Sequence, residues 1–212
     1  MDQLAELVIH DLTELIPRNP RRPKIELRKK AVSVIALHCD DAASWDVWNL
    51  IRYDLGPNHI SAKGCPTPTY QYYISRAGKV YKIAQEAYAT WHAGVGAATR
   101  LRYGIPDWNH VAIAVCFAHK PGREDGLTPE QEEVGALLVA EIALRRNVQS
   151  ANVLGHRELA GTGYYPGNPR KLRKVCPGLD VDLDGFRREV RDLKLRHDGG
   201  QLVIEVKTVG RE

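Results

Sequence analysis

Apolar residues recur along this chain with two periods, and the alternation between them predicts its elements. Residues 3–16 place Leu4, Leu7, Val8, Leu12, Leu15 and Ile16 on one helical stripe closed by Pro17, the spacing of an amphipathic helix. Val32 to His38 is a mostly apolar run, and its β-branched content is the signature of a buried strand. Ser44 to Leu55 reads as a helix capped by Ser44, with Trp45, Trp48, Leu50 and Ile51 among its apolar positions. Tyr70–Ser75 and Val80–Ile83 flank the turn Arg76-Ala77-Gly78-Lys79 and predict a hairpin. His110 to Phe117 is a second core strand. Thr128-Pro129-Glu130-Gln131 combines a cap, a first-turn proline and a capping-box glutamine, so a helix should run from there to about Asn147. A short strand at Asn152–His156, a last helix from Asp182 to about Arg196 on Phe186, Val190 and Leu193, and a possible edge strand at Leu202–Val206 complete the series. Strands alternating with long helices predict an α/β fold, a central mixed β-sheet flanked by helices.

Composition divides this series without changing it. An apolar fraction of 43% is ample for one packed core in 212 residues. Residues 17–30 carry seven basic side chains against the single acid Glu26, with Pro17, Pro20 and Pro23 interspersed. We therefore expect three parts: an N-terminal helix and basic proline-rich arm (1–30), a catalytic domain (31–196) and a tail (197–212). The arm reads as a solvated connector rather than a polyanion-binding segment. A net charge of +4 with no interleaved aromatic–basic motif argues against a nucleic-acid partner. The four cysteines show no CxxC pair, which argues against a disulfide framework; Cys39 and Cys116, inside apolar runs, are expected to be inert core thiols. The acidic start Met1-Asp2-Gln3-Leu4-Ala5-Glu6 is unlike a secretory signal, and no apolar run reaches the length of a membrane span. The expectation is a protein made in the cytoplasm without a transmembrane segment, and a monomer is assumed.

The chemistry concentrates in the stretch from Val153 to Gly178. It holds His156 at a strand end, a Gly/Pro/Tyr-rich loop, and then Lys174-Val175-Cys176-Pro177-Gly178. An imidazole and a thiolate are good zinc ligands, and a catalytic zinc takes three protein ligands and leaves one position open. His38, at the end of its own apolar run, is the best third ligand. Taken singly, each has a blander reading: a hydrogen-bonded core histidine for His38 or His156, a small buried hydrophobe for Cys176. The combination, two histidines at strand ends with a cysteine in a tight turn, is what suits a metal held on rigid elements. A structural zinc would close with four ligands, and only three are found.

These blocks resemble the zinc-dependent N-acetylmuramoyl-L-alanine amidases of the type-2 class, which includes phage endolysins and the peptidoglycan recognition proteins. The residues that carry the resemblance are the strand ending in His38, Tyr70-x-Tyr72-Tyr73-Ile74 leading to Gly78, Trp91-His92-Ala93-Gly94, Trp108-Asn109 with Ala112-Ile113-Ala114-Val115, Gly155-His156, and Lys174-x-Cys176-Pro177. The resemblance implies the type-2 amidase fold over roughly Val32 to Val190, and a Zn2+ cofactor held by His38, His156 and Cys176. It further implies Tyr70 and Lys174 as the catalytic pair, His92 and Asn109 as substrate-cleft positions, and peptidoglycan as the partner. Relatives that recycle wall fragments in the cytoplasm tend to use aspartate as third ligand, so Cys176 points to an endolysin acting on the wall after membrane permeabilisation. Recognition proteins that bind without cutting typically lack the cysteine; such a non-catalytic module is the alternative. This chain departs from the family pattern at Gln71, often histidine, and at Ala77-Gly78, often Asp-Gly. The 20-residue interval from His156 to Cys176 is long, and Gly161–Pro169, with Tyr164 and Tyr165, reads as an added lip over the cleft.

Overall fold

The computed structural model describes residues 3–42, 46–93, 107–121, 126–159 and 175–209. Seven strands form one sheet: β1 (Gln3–Asp11), β2 (Val34–Cys39), β3 (Tyr72–Ile74), β4 (Val80–Lys82), β5 (Ala112–Phe117), β6 (Val153–Gly155) and β7 (Leu202–Val209), in the order β6-β2-β5-β3-β4-β1-β7. Every neighbouring pair is parallel except the hairpin β3–β4. The sheet is therefore mixed, as expected. Its tight turn is made by Gly78, whose φ of 72° belongs to the left-handed region that glycine enters without a Cβ penalty.

Helices cover both faces, which is why β2 and β5 are buried at every position and read as continuous apolar runs. On one face lie α3 (Pro129–Arg146) and α5 (Leu183–Asp198), whose Phe186 meets Phe117 of β5 edge-on at 6.1 Å between ring centroids. On the other, Val47, Leu50 and Ile51 of α1 (Val47–Leu55) pack against Tyr73, Ile83 and Cys116. The capping box of α3 is present in both directions, Thr128 Oγ1 accepting from Gln131 N and Gln131 Oε1 from Thr128 N. No helix among the described residues is long and apolar enough to cross a membrane.

Several expectations are corrected. Residues 3–11 form a strand, not a helix. Leu7 and Ile9 point inward at 0% and 6% exposure while Leu4 is 61% exposed, a period of two. The strand lies between β4 and β7, so it is interior to the sheet, and its full ladder with β7 overrides the helical spacing. The tail forms the edge strand β7, and the sheet thus runs from one end of the chain to the other. Helix α1 begins at Val47 with Asp46 as its cap, Oδ1 accepting from Asn49 N at 2.7 Å; Ser44 and Trp45 lie outside the described residues. Trp108–Val111 is a helical turn, α2, and β5 starts only at Ala112. His156 does not end β6 but opens the short helix α4 (His156–Leu159). The proposed lip at Gly161–Pro169 lies outside the described residues.

Candidate metal centre and cleft

Parallel strands bring their carboxyl ends to one edge of a sheet, and that edge is where ligands of such sheets gather. Here β2 and β6 pair in register through Leu37 and Gly155. The next residues along the chain are His38, still in β2, and His156, the first of α4, so the ladder sets the two imidazoles side by side, with ring centroids 4.5 Å apart. Gly155 has to be glycine for this: a Cβ there would meet Leu183 Cδ1 at 2.7 Å and Pro177 Cδ at 3.0 Å. The close approach lets the Cys176–Gly178 turn lie against the end of β6.

That turn is tied to both histidines. Arg157 N donates to Cys176 O at 2.9 Å, and its guanidinium donates to the carbonyls of Gly178 and Val181, so the residue after His156 holds the cysteine loop. On the other side Cys39 N, one residue after His38, donates to Cys176 Sγ at 3.2 Å. Sγ and His38 Nδ1 are 3.7 Å apart, and the donor atoms of His38, His156 and Cys176 all lie within 4.8 Å of one another. With Zn–S near 2.3 Å and Zn–N near 2.0–2.1 Å, tetrahedral ligands should stand about 3.6 Å apart. The three residues therefore fit a zinc ion in donor type and in spacing.

The electrostatics suit a cation. Burial pushes the Cys176 thiol up, but hydrogen bonds from Cys39, His156 and His38 outweigh it and hold the thiol well below its usual range, favouring thiolate. Cys39 is driven the other way by its hydrogen bond with Cys176 and by burial, and Cys116 is raised by burial; both stay neutral core thiols.

His38 is fully buried, and its Nε2 lies 3.1 Å from Nδ1 of His92. Burial, then repulsion by His38 and His156, drives the His92 imidazolium far from favour. A neutral His92 can accept the Nε2 proton of His38, and a metal at the site would then take the Nδ1 lone pair in place of the Nδ1–Sγ hydrogen bond. Partners of this kind orient metal-binding imidazoles. Tyr70 stands beside His38, ring centroids 5.0 Å apart. Burial raises its phenol well above the usual value, with nearby Cys116 and Cys176 adding to the effect, so it keeps its proton.

A cavity of about 740 Å³ opens over this group, lined among others by Tyr53, Ile60, Tyr70, Trp91, His156 and Cys176. His92, expected in the substrate cleft, also lines it. Asn109, expected there too, is not among the lining residues: its Oδ1 accepts from Ala93 N at 2.9 Å and braces the loop that carries His92. Lys174 lies outside the described residues. Sequence reasoning overlooked Asp54, which lines the cavity while 2% exposed, its Oδ2 accepting from both Thr69 N and Thr69 Oγ1 at 2.8 Å. Burial pushes its carboxyl up to about 6. No periodicity marks Asp54 as different from any other polar position on α1; only the loop it folds against does.

Comparisons agree with this geometry. A profile of the N-acetylmuramoyl-L-alanine amidase family matches residues 28–179. No curated protein matches. Among solved structures, the chain is similar to the endolysin N-acetylmuramoyl-L-alanine amidase LysCS from Clostridium intestinale, with a TM-score of 0.61 at 14% identity over 86% of this chain and 95% of that one. It is also similar to a variant of Drosophila PGRP-LB in complex with tracheal cytotoxin, with TM-score 0.57, 15% identity, and 83% and 91% covered. The Ph2119 endolysin of a Thermus scotoductus bacteriophage gives 0.54 and 13%, over 86% and 98%. At these identities the solved structures speak for the fold, and the profile, spanning well over half of the sequence, speaks for the family. The chain belongs to the N-acetylmuramoyl-L-alanine amidase family.

Proposed function

We propose that the chain is a zinc-dependent peptidoglycan amidase that hydrolyses the amide between N-acetylmuramic acid and the L-alanine of the stem peptide. The observation that carries this reading is the meeting of His38, His156 and Cys176 at one edge of the sheet, beneath a cavity large enough for part of a polymer. Zinc held by these residues supplies a Lewis acid and activates water near neutral pH. The chain's own residues do the rest. His92 fixes the His38 ring through the Nε2–Nδ1 hydrogen bond. Tyr70, kept protonated by burial, donates a hydrogen bond to the scissile carbonyl oxygen as negative charge develops there. Lys174, two residues before Cys176, is assigned as a second positive group for that oxygen.

A cysteine as third ligand supports a phage or prophage endolysin that reaches the wall after membrane permeabilisation, rather than a cytoplasmic recycling enzyme. A complete histidine–histidine–cysteine set weighs against the alternative, a recognition module that binds without cutting.

The test is digestion of purified peptidoglycan, scoring newly exposed N-terminal L-alanine with chelator and zinc add-back. We expect release that chelator abolishes, zinc restores and a folded Cys176→Ser variant lacks, while Tyr70→Phe keeps its zinc and loses about 10²-fold in kcat. One equivalent of zinc with no release would favour the recognition module.

A further inference from the structure

The segment before residue 28 lies outside the family-matched stretch, yet it is fastened to both loops that wall the cavity. Asn19, 3% exposed, donates from Nδ2 to the carbonyls of Leu55 at 3.1 Å and of Lys63 and Cys65 at 2.9 Å. Two N–H bonds serve three acceptors, so one is shared. Those carbonyls bracket the loop that carries the cavity-lining residues His59 and Ile60. Further along, Ala89 N donates to Glu26 O at 2.8 Å and Arg28 N to Ala87 O at 2.7 Å. The Arg28 guanidinium donates to the carbonyls of Glu86, Tyr88 and Asn109, gripping the second wall, the loop of Trp91 and His92. What composition marked as a solvated arm is a strap over two walls.

Arg22 joins those walls directly. Its Nη2 donates to Ser61 Oγ at 3.0 Å, and its Cζ lies 5.2 Å from the centroid of the Trp91 ring. Among the described residues its buried Nε finds no hydrogen-bond partner. The indole is therefore the main compensation for this buried part of the guanidinium. Trp91 lines the cavity and Arg22 does not, so the cation holds one side of the indole while another part is turned to the cleft. On the first wall Tyr53 and His59 stack, Oη and Nδ1 2.5 Å apart.

Resting on the amidase reading above, we propose that Arg22 is a positioning residue that sets Trp91 as a stacking platform for a sugar ring of the wall polymer. The electron-rich face of an indole suits the positively polarised C–H face of an N-acetylhexosamine. This gives the cleft a glycan side as well as a peptide side, and assigns its construction to a segment that precedes the family-matched region.

The test uses the zinc-loaded full chain and a soluble probe, the N-acetylglucosamine trimer, followed by tryptophan fluorescence and calorimetry. We expect the trimer to bind, Arg22→Ala to weaken it about five- to tenfold, and Trp91→Ala to abolish it. Arg22→Ala should raise KM on peptidoglycan by a similar factor with kcat within about twofold and zinc content unchanged, and Arg22→Lys should restore part of the affinity. A purely structural strap would instead lower the melting temperature and leave trimer affinity and KM alone, which would overturn the proposal. So would a wild-type chain that exposes N-terminal L-alanine in peptidoglycan but does not bind the trimer. Trimer binding with no newly exposed N-terminal L-alanine would sink the amidase reading and leave the platform standing.

Discussion

His38 is gripped through both of its ring nitrogens, Nδ1 toward Cys176 and Nε2 toward His92. A ligand held this way needs no rearrangement to take a metal, and removing the brace should show in binding. We expect His92→Ala to weaken zinc about 10- to 100-fold with the fold intact, measured by competition with a chromophoric chelator. An unchanged zinc affinity would return His92 to the substrate cleft alone. The three donors were legible in the sequence because their residue types and strand-end positions are local signals. The brace was not, because the path of the 84–93 loop follows no periodicity and is set by Arg28 and Asn109. The cleft position of Asn109 is what the family resemblance implies; in the structure its amide oxygen accepts from Ala93 N.

At the level of elements, the C-terminal end of α3 is locked to the hairpin side of the sheet by one carboxylate. Glu86, 9% exposed, accepts from Tyr72 Oη at 2.7 Å, from both outer nitrogens of Arg145 and from Arg146. Burial pushes its carboxyl up, but the bonds from Arg145, Tyr72 and Arg146 outweigh that and hold it at about 2. A depressed carboxyl stabilises the fold above its unfolded value near 4.5, and that contribution fades as pH falls toward 2. Between pH 6 and 3 the loss should be about 2 kcal/mol, read as a falling urea midpoint, and Glu86→Gln should lack that part of the slope. Asp54 works in the opposite sense. Its raised carboxyl favours the fold at low pH and costs stability as pH rises toward about 6, so the variant is needed to separate the two. Helix α3 was legible down to its cap because every cue is within four residues. Strand β1 was not: Leu4, Leu7 and Val8 stand at helical spacing, and the strand is decided instead by partners far away in sequence.

At the scale of the molecule, the ends of the chain belong to the same core as the site. Leu7, Ile9 and Leu202 join the cluster that holds Ile35, Leu37 and Val153, the inner residues of the two ligand-bearing strands. Leu7→Ala should therefore cost about 3 kcal/mol in urea denaturation even though residue 7 precedes the family-matched region. A cost under about 0.5 kcal/mol would be that of a surface position and would mean that β1 lies loosely on the sheet.

The pairing of Gln3 with Leu202 also has a consequence in time. Once synthesised, β1 finds its long partner only when nearly 200 further residues have followed it, on the order of 10–40 s at typical rates of synthesis. Until then β1 can rest only on its short ladder with β4, three residue pairs long. Nascent or prematurely ended chains would carry the ligands of the metal on an unfinished sheet. Completion of the sheet thereby waits on the synthesis of β7.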